Sequence, residues 1–143
     1  MKNIMELRKN LIEDSLNNFR DIIKLFRHDM NRKFEEFIPN NEFAVLKILD
    51  KHDHQMVSQI ANLLNVSNSH ITSVSEKLIN KGMAVRTRSE TDRRIVYLSI
   101  TEDGKKMAAA MNALTQQYFQ EKFAEFTEDE INILNQLLRK LMG

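Results

Sequence analysis

Val66-Ser67-Asn68-Ser69-His70-Ile71-Thr72, then Lys81-Gly82, then Thr91-Asp92-Arg93-Arg94, are the landmarks of the stretch that decides the fold. The run from Met56 to Gly104 reads as a short helix, a turn, a second helix closed by Gly82, a strand, an arginine-tipped turn, a second strand and the start of another helix. Ser67 is a good N-cap, and glycine after Lys81 is a strong helix stop. The second helix buries Ile71, Val74 and Leu78, three and four apart. Ser69, His70, Thr72, Ser73, Glu76 and Lys77 lie on its opposite face. A helix presenting small polar groups beside a basic hairpin is a shape for reading duplex DNA.

The hairpin follows at once. Residues 84–88 and 95–100 read as strands. In the second, Val96, Leu98 and Ile100 alternate with Ile95, Tyr97 and Ser99, the period of a half-buried strand. The polar turn from Ser89 to Arg94 joins them. Upstream, residues 57–65 form a short helix around Ile60, Ala61 and Leu64, with Val66 in the turn. Residues 41–52 form another, with Phe43, Leu46 and Leu49 on one face.

Outside this central run the pattern is helical. Apolar residues recur at Leu7, Leu11, Leu16, Phe19, Ile23, Phe26, Met30, Phe34 and Phe37, which predicts one helix over residues 5–37, ended by Pro39. Thr101 caps a helix to about residue 123, with Met107, Met111, Leu114 and Tyr118 inward. Thr127-Glu128-Asp129-Glu130 is a capping box, with Phe126 placed to staple against Ile131. The last helix carries Ile131, Leu134, Leu137, Leu138 and Leu141. The terminal helices hold more apolar surface than one small lobe buries, which argues for an intertwined dimer.

Composition bounds the function. The chain has 143 residues, no cysteine, three glycines and one proline. Disulfides, thiolate metal sites and thiol redox switches are therefore excluded. No apolar run approaches a membrane span, and no signal-peptide core opens the chain, so a cytoplasmic location without membrane contact is expected. The net charge is only +1, but residues 56–101 hold six basic and three acidic side chains. Such a local patch matters more for phosphate contact than the total.

At this level of detail the chain resembles the multiple-antibiotic-resistance regulator (MarR) family of winged helix-turn-helix transcription factors. The resemblance covers essentially the whole chain. It is densest at Val66 to Leu78, at Lys81-Gly82-Met83-Ala84, and from Thr91 through Thr101-Glu102-Asp103-Gly104. It implies a mainly α fold with a small β-hairpin wing: a winged helix-turn-helix lobe at about residues 41–101 and dimerisation helices at about 5–37 and 102–142, in one domain over 1–143. It further implies a homodimer on double-stranded DNA, each recognition helix in a major groove and each wing in an adjacent minor groove. The function expected is a sequence-specific repressor of a pseudo-palindromic operator. Relief by a small aromatic or amphipathic effector near Met30, Phe34, Phe37, Met107 and Met111 is a family property.

Two departures stand out. Where many members have an arginine after the recognition-helix threonine, this chain has Ser73, which removes one phosphate or guanine contact. Where members often have a threonine cap, this chain has Met56, so that cap is absent or shifted to Ser58.

The candidate DNA-contacting residues follow. Ser69, His70 and Ser73 lead for base edges, with Asn68 and Thr72 next. Ser67 joins them, although capping alone accounts for Ser67 and Ser69. Lys77, Arg86 and Arg88 position phosphates. Arg94, with Arg93 beside it, sits at the wing tip, where a guanidinium gains from the minor-groove potential of A·T-rich DNA. Asp92 holds the tip arginine by an ion pair. His28 and the pair His52 and His54 lack a clear third ligand, so neither metal nor cofactor is expected. No nucleophile elbow, phosphate-binding glycine loop or zincin motif is present, so no catalysis is expected. The competing reading is a helical dimer that acts by protein–protein interaction and has a weak or degenerate DNA-binding lobe.

Overall fold

The computed structural model describes residues 3–143. In chain order these form α1 (Ile4–Phe34), α2 (Asn40–Lys51), α3 (Val57–Leu64), α4 (Asn68–Asn80), β1 (Ala84–Arg88), β2 (Val96–Ile100), α5 (Glu102–Lys122) and α6 (Glu128–Met142). The strands form one antiparallel pair, with Ala84 opposite Ile100 and Arg88 opposite Val96. The chain divides into two compact units, Met1–Met111 and Asn112–Gly143, with the division inside α5.

In the first unit the core gathers where α2, α3, α4 and the hairpin meet. Leu46, Leu49, Ile60, Ile71, Val74, Leu78 and Leu98 are all buried. Each such side chain contributes on the order of 1.5–3 kcal/mol through apolar burial. Ile71, Val74 and Leu78 are the inward stripe predicted for α4. Ser75 is buried with them, and its hydroxyl donates to the Ile71 carbonyl at 2.6 Å. The same unit buries Glu42, whose Oε1 accepts from Lys81 Nζ at 2.6 Å. A buried carboxylate requires such a partner, and this one ties the first turn of α2 to the end of α4.

Capping accounts for most helix boundaries. Ser67 Oγ accepts from the His70 N–H at 3.1 Å. Gly82 follows α4 with φ 73°, the left-handed conformation in which glycine carries no steric penalty. Thr101 Oγ1 donates to the Gly82 carbonyl at 2.7 Å and accepts from the Gly104 N–H at 3.1 Å, so it caps α5 and fastens it to the end of α4. Gly104 sits so close to that junction that a Cβ would lie 2.2 Å from the Met83 carbonyl oxygen.

Three expectations need correction, and one open alternative is settled. The first helix ends at Phe34 rather than 37. Ile38 precedes Pro39 and is excluded from helical geometry. The chain therefore tightens, with the Phe37 N–H donating to the Phe34 carbonyl at 2.8 Å, and Ile38 enters the core. Of the two alternatives for the cap of α3, absent or shifted to Ser58, the first holds, with no side-chain cap bond at Met56. Met56 occupies the N-cap position, and Gln59 Oε1 accepts from its N–H at 2.8 Å. The second strand starts at Val96, because the Ile95 N–H is used in the turn, donating to the Asp92 carbonyl. Finally, β2 does not alternate cleanly: Leu98 and Ser99 are both buried. The segment before α3 crosses the strand there. Gln55 exchanges two backbone hydrogen bonds with Leu98, and His54 Nδ1 lies 2.7 Å from Ser99 Oγ.

In the second unit, Thr127 and Glu130 form the predicted capping box. Thr127 Oγ1 accepts from the Glu130 N–H at 3.1 Å, and Glu130 Oε1 accepts from the Thr127 N–H at 3.0 Å. These bonds hold the Glu130 carboxyl below the usual carboxylate range. Phe126 packs edge-on against Phe123. Both α1 and α6 leave large apolar side chains exposed, including Leu7, Leu11, Leu16 and Phe19 on α1 and Ile133, Leu137 and Leu141 on α6. Among the described residues, no helix is long and apolar enough to cross a membrane.

Candidate nucleic-acid interface

The candidate site is built on α4 and the hairpin. With Ile71, Val74, Ser75 and Leu78 turned into the core, the 3.6-residue period turns Ser69, His70, Thr72, Ser73 and Lys77 outward, and all five are exposed. Ser67 and Asn68 open the helix and are exposed as well. Two of these side chains already have local partners. Ser67 is committed as the N-cap, and Thr72 Oγ1 donates to the Asn68 carbonyl at 2.9 Å. That leaves the outer face with short donors and acceptors and no long apolar side chain, a surface suited to the floor of a groove.

The wing is a tightly bonded turn. Ser89 Oγ accepts from the N–H groups of Thr91 and Asp92 at 3.3 and 3.2 Å. Arg88 Nη1 donates to the Arg93 carbonyl at 3.1 Å, bracing the tip from the strand below. Asp92 receives three hydrogen bonds from Arg94. Its Oδ1 accepts from the backbone N–H at 3.0 Å and from Nε at 3.1 Å, and its Oδ2 accepts from Nη2 at 3.1 Å. The guanidinium fork matches the carboxylate with two parallel bonds, and these bonds hold the Asp92 carboxyl below the usual carboxylate range. The Arg94 side chain is nonetheless 90% exposed. The result is a cation held in a defined direction at the end of a short ribbon.

Helix and wing are joined directly. Arg86 of β1 pairs through Nη2 with the Glu76 carboxylate of α4. Arg86 is therefore engaged within the protein, as Arg88 is with the Arg93 carbonyl. Arg93 and Arg94 share the turn and Arg88 ends the strand below it, whereas Asn68 to Lys77 share the helix. Among the described residues, no group of three or more histidine and acidic side chains is placed to hold a metal ion. His54 is instead built into the wing, bonded to Ser99 and edge-on to Tyr97.

Sequence reasoning missed Ser89, Glu42, His54 and the Glu76–Arg86 pair. A serine three residues before Asp92 is a local turn signal that could have found Ser89. The others join residues far apart in the chain and leave no local signature. Phe34 and Met111, weighed as effector contacts, are core residues, with Phe34 edge-on to Phe43 at 5.2 Å.

Comparison with known proteins places this arrangement. The MarR family pattern matches residues 38–96, from just before α2 to the first residue of β2. The HTH-type transcriptional regulator YpoP of Bacillus subtilis (strain 168) is 34% identical over 137 residues, covering 96% of this chain and 97% of YpoP. The chain belongs to the MarR family. Members of this family are helix-turn-helix transcriptional regulators. The MarR fold agrees with solved structures. YusO from Bacillus subtilis superposes with a TM-score of 0.80 at 24% identity, over 94% of this chain and 96% of YusO. The multiple antibiotic resistance repressor MarR gives 0.77 at 22% identity, over 89% of this chain and 94% of that one.

Proposed function

We propose that this MarR-family regulator is a homodimeric repressor that binds a pseudo-palindromic operator in double-stranded DNA. The observation that carries the reading is the pairing of an outward polar helix, α4, with a wing whose tip arginine is both exposed and directionally fixed by Asp92. In this reading Ser69, His70 and Ser73 meet base edges, Asn68 and Thr72 flank them, and Ser67 sets the helix start. Lys77 and Arg88 take phosphates, and Arg86 does so to the extent that Glu76 releases it. Arg94 enters the minor groove with Arg93 beside it. Residues 41–101 act as the DNA lobe, while the helices at 5–37 and 102–142 pair with a second copy. The exposed apolar residues of α1 and α6 support that pairing. Half-sites then lie roughly one helical turn apart. No catalytic step and no cofactor enter this reading. A small aromatic or amphipathic effector relieves repression by favouring a lobe spacing that fits the operator less well.

The test is binding of the purified protein to duplexes tiled across its own upstream region. Tight, sequence-selective binding weakened at least about tenfold by Arg94→Ala is expected, the loss typical of one groove-reading arginine. A folded dimer that binds no duplex at low salt would overturn the reading and leave a protein-interaction role. A control with Ser73→Arg is expected to tighten binding, because it restores a long cation on the outer face.

A further inference from the structure

Glu76 is the single acidic residue of α4. It stands one helical turn from Ser73 and beside Lys77, on the side of the helix proposed to face DNA. A carboxylate there repels phosphates, and its own strength as a structural tie is small, since both partners of its ion pair with Arg86 are nearly half exposed. Stability alone therefore does not account for the placement. What the pair does is fix the position of Arg86. The guanidinium is drawn from the hairpin towards the helix, and its charge is neutralised there.

We propose that Glu76 is a selectivity residue: it holds Arg86 off the DNA phosphates and thereby sets the non-specific affinity of the protein. The proposal rests on the reading of α4 and the wing as the DNA interface. Non-specific binding is almost wholly a phosphate term, released counterions supplying the free energy. Masking one cation per protomer therefore lowers affinity for the many competing sites of a genome, which is the quantity a repressor must keep small. The carboxylate and the phosphate compete for the same guanidinium, so the mask operates without any change in fold.

The experiment measures binding of the full chain to a non-operator duplex across a salt series. The proteins are wild type, Glu76→Gln, Glu76→Ala, Arg86→Ala and the double variant Glu76→Gln/Arg86→Ala. Far-UV circular dichroism confirms that each is folded. The expected result for both Glu76 variants is affinity raised about fivefold near 0.1 M salt. The slope of log K against log salt should steepen by about 0.9 for each protomer on the duplex, the signature of one added phosphate contact. Arg86→Ala alone should weaken binding, since it leaves the Glu76 carboxylate unpaired near phosphates, and adding it to Glu76→Gln should abolish the gain. A gain that persists in the double variant would show a general charge effect and overturn the inference. So would Glu76 variants that bind no tighter than wild type. A wild type that binds neither this duplex nor its operator at low salt would overturn the operator reading and this inference together.

Discussion

Asp92 and Arg94 show how two adjacent charges at a turn produce a directed one. The carboxylate accepts from the backbone and the side chain of the same arginine, so the guanidinium gains orientation while staying in solvent. The side-chain bond from Arg94 is the main cause of the lowered Asp92 pKa, followed by the backbone bond. A depressed carboxylate contributes when ionised. Its contribution is complete above the pKa of the unfolded chain and is lost only as pH falls through the lower folded value. The wing tip should therefore be insensitive to pH between 5 and 8 and loosen only in strong acid. A carboxyl NMR titration is expected to give an Asp92 midpoint below the ordinary aspartate value, returning towards it in Arg94→Ala. An identical midpoint in both proteins would show that the pair does not persist in solution.

Ser67 and Gly82 set the two ends of α4, and Gly104 lets α5 approach the second of them. The start and stop of α4 were legible in the sequence, because capping is local: a hydroxyl at the N-cap and a left-handed glycine after the last turn each satisfy backbone groups within a few residues. Ser67→Ala is expected to cost about 1 kcal/mol in urea denaturation, the usual worth of such a cap, and to fray the end of α4 that carries Asn68 and Ser69. Gly104→Ala should cost about 2–3 kcal/mol, because its methyl meets backbone at the Met83 carbonyl and a helix must shift to admit it. If the alanine variant proves as stable as wild type, the close approach of α5 to the end of α4 is wrong. The same local logic failed at residues 35–38. The apolar spacing continues through Phe37, but a proline two residues on excludes Ile38 from the helix and the core claims its side chain. It failed again on β2, where the burial of Ser99 depends on His54, 45 residues away. Periodicity registers which face a strand turns inward, but not which distant loop covers the other face.

Over the whole molecule, the fold class was readable because hydrophobic period, turn residues and cap positions agree along the chain. The candidate interface was readable only as a set of residues. Its internal tie, Glu76 to Arg86, joins helix to hairpin, and the supporting tie of Glu42 to Lys81 joins residues 39 apart; charges alone do not announce their partners. The exposed stripe of α1 belongs to this scale. Leu11 and Leu16 are 58% and 46% exposed in the single chain, and burying such surface between two copies is the proposed origin of the dimer. Leu11→Glu with Leu16→Glu should shift the protein to monomer in sedimentation equilibrium and weaken operator binding sharply, since one lobe retains only one half-site. A dimer undisturbed by both charges would place the interface elsewhere.

In the proposed reading, α4 and the wing form a DNA interface dominated by a few cations. The most direct test is operator affinity as a function of salt for wild type and Arg94→Ala. A steep linear fall of log K with log salt is expected in the wild type. In the variant, the slope should be shallower, since each wing loses a cation that displaces counterions from the duplex. Equal slopes, or an affinity indifferent to salt, would contradict it.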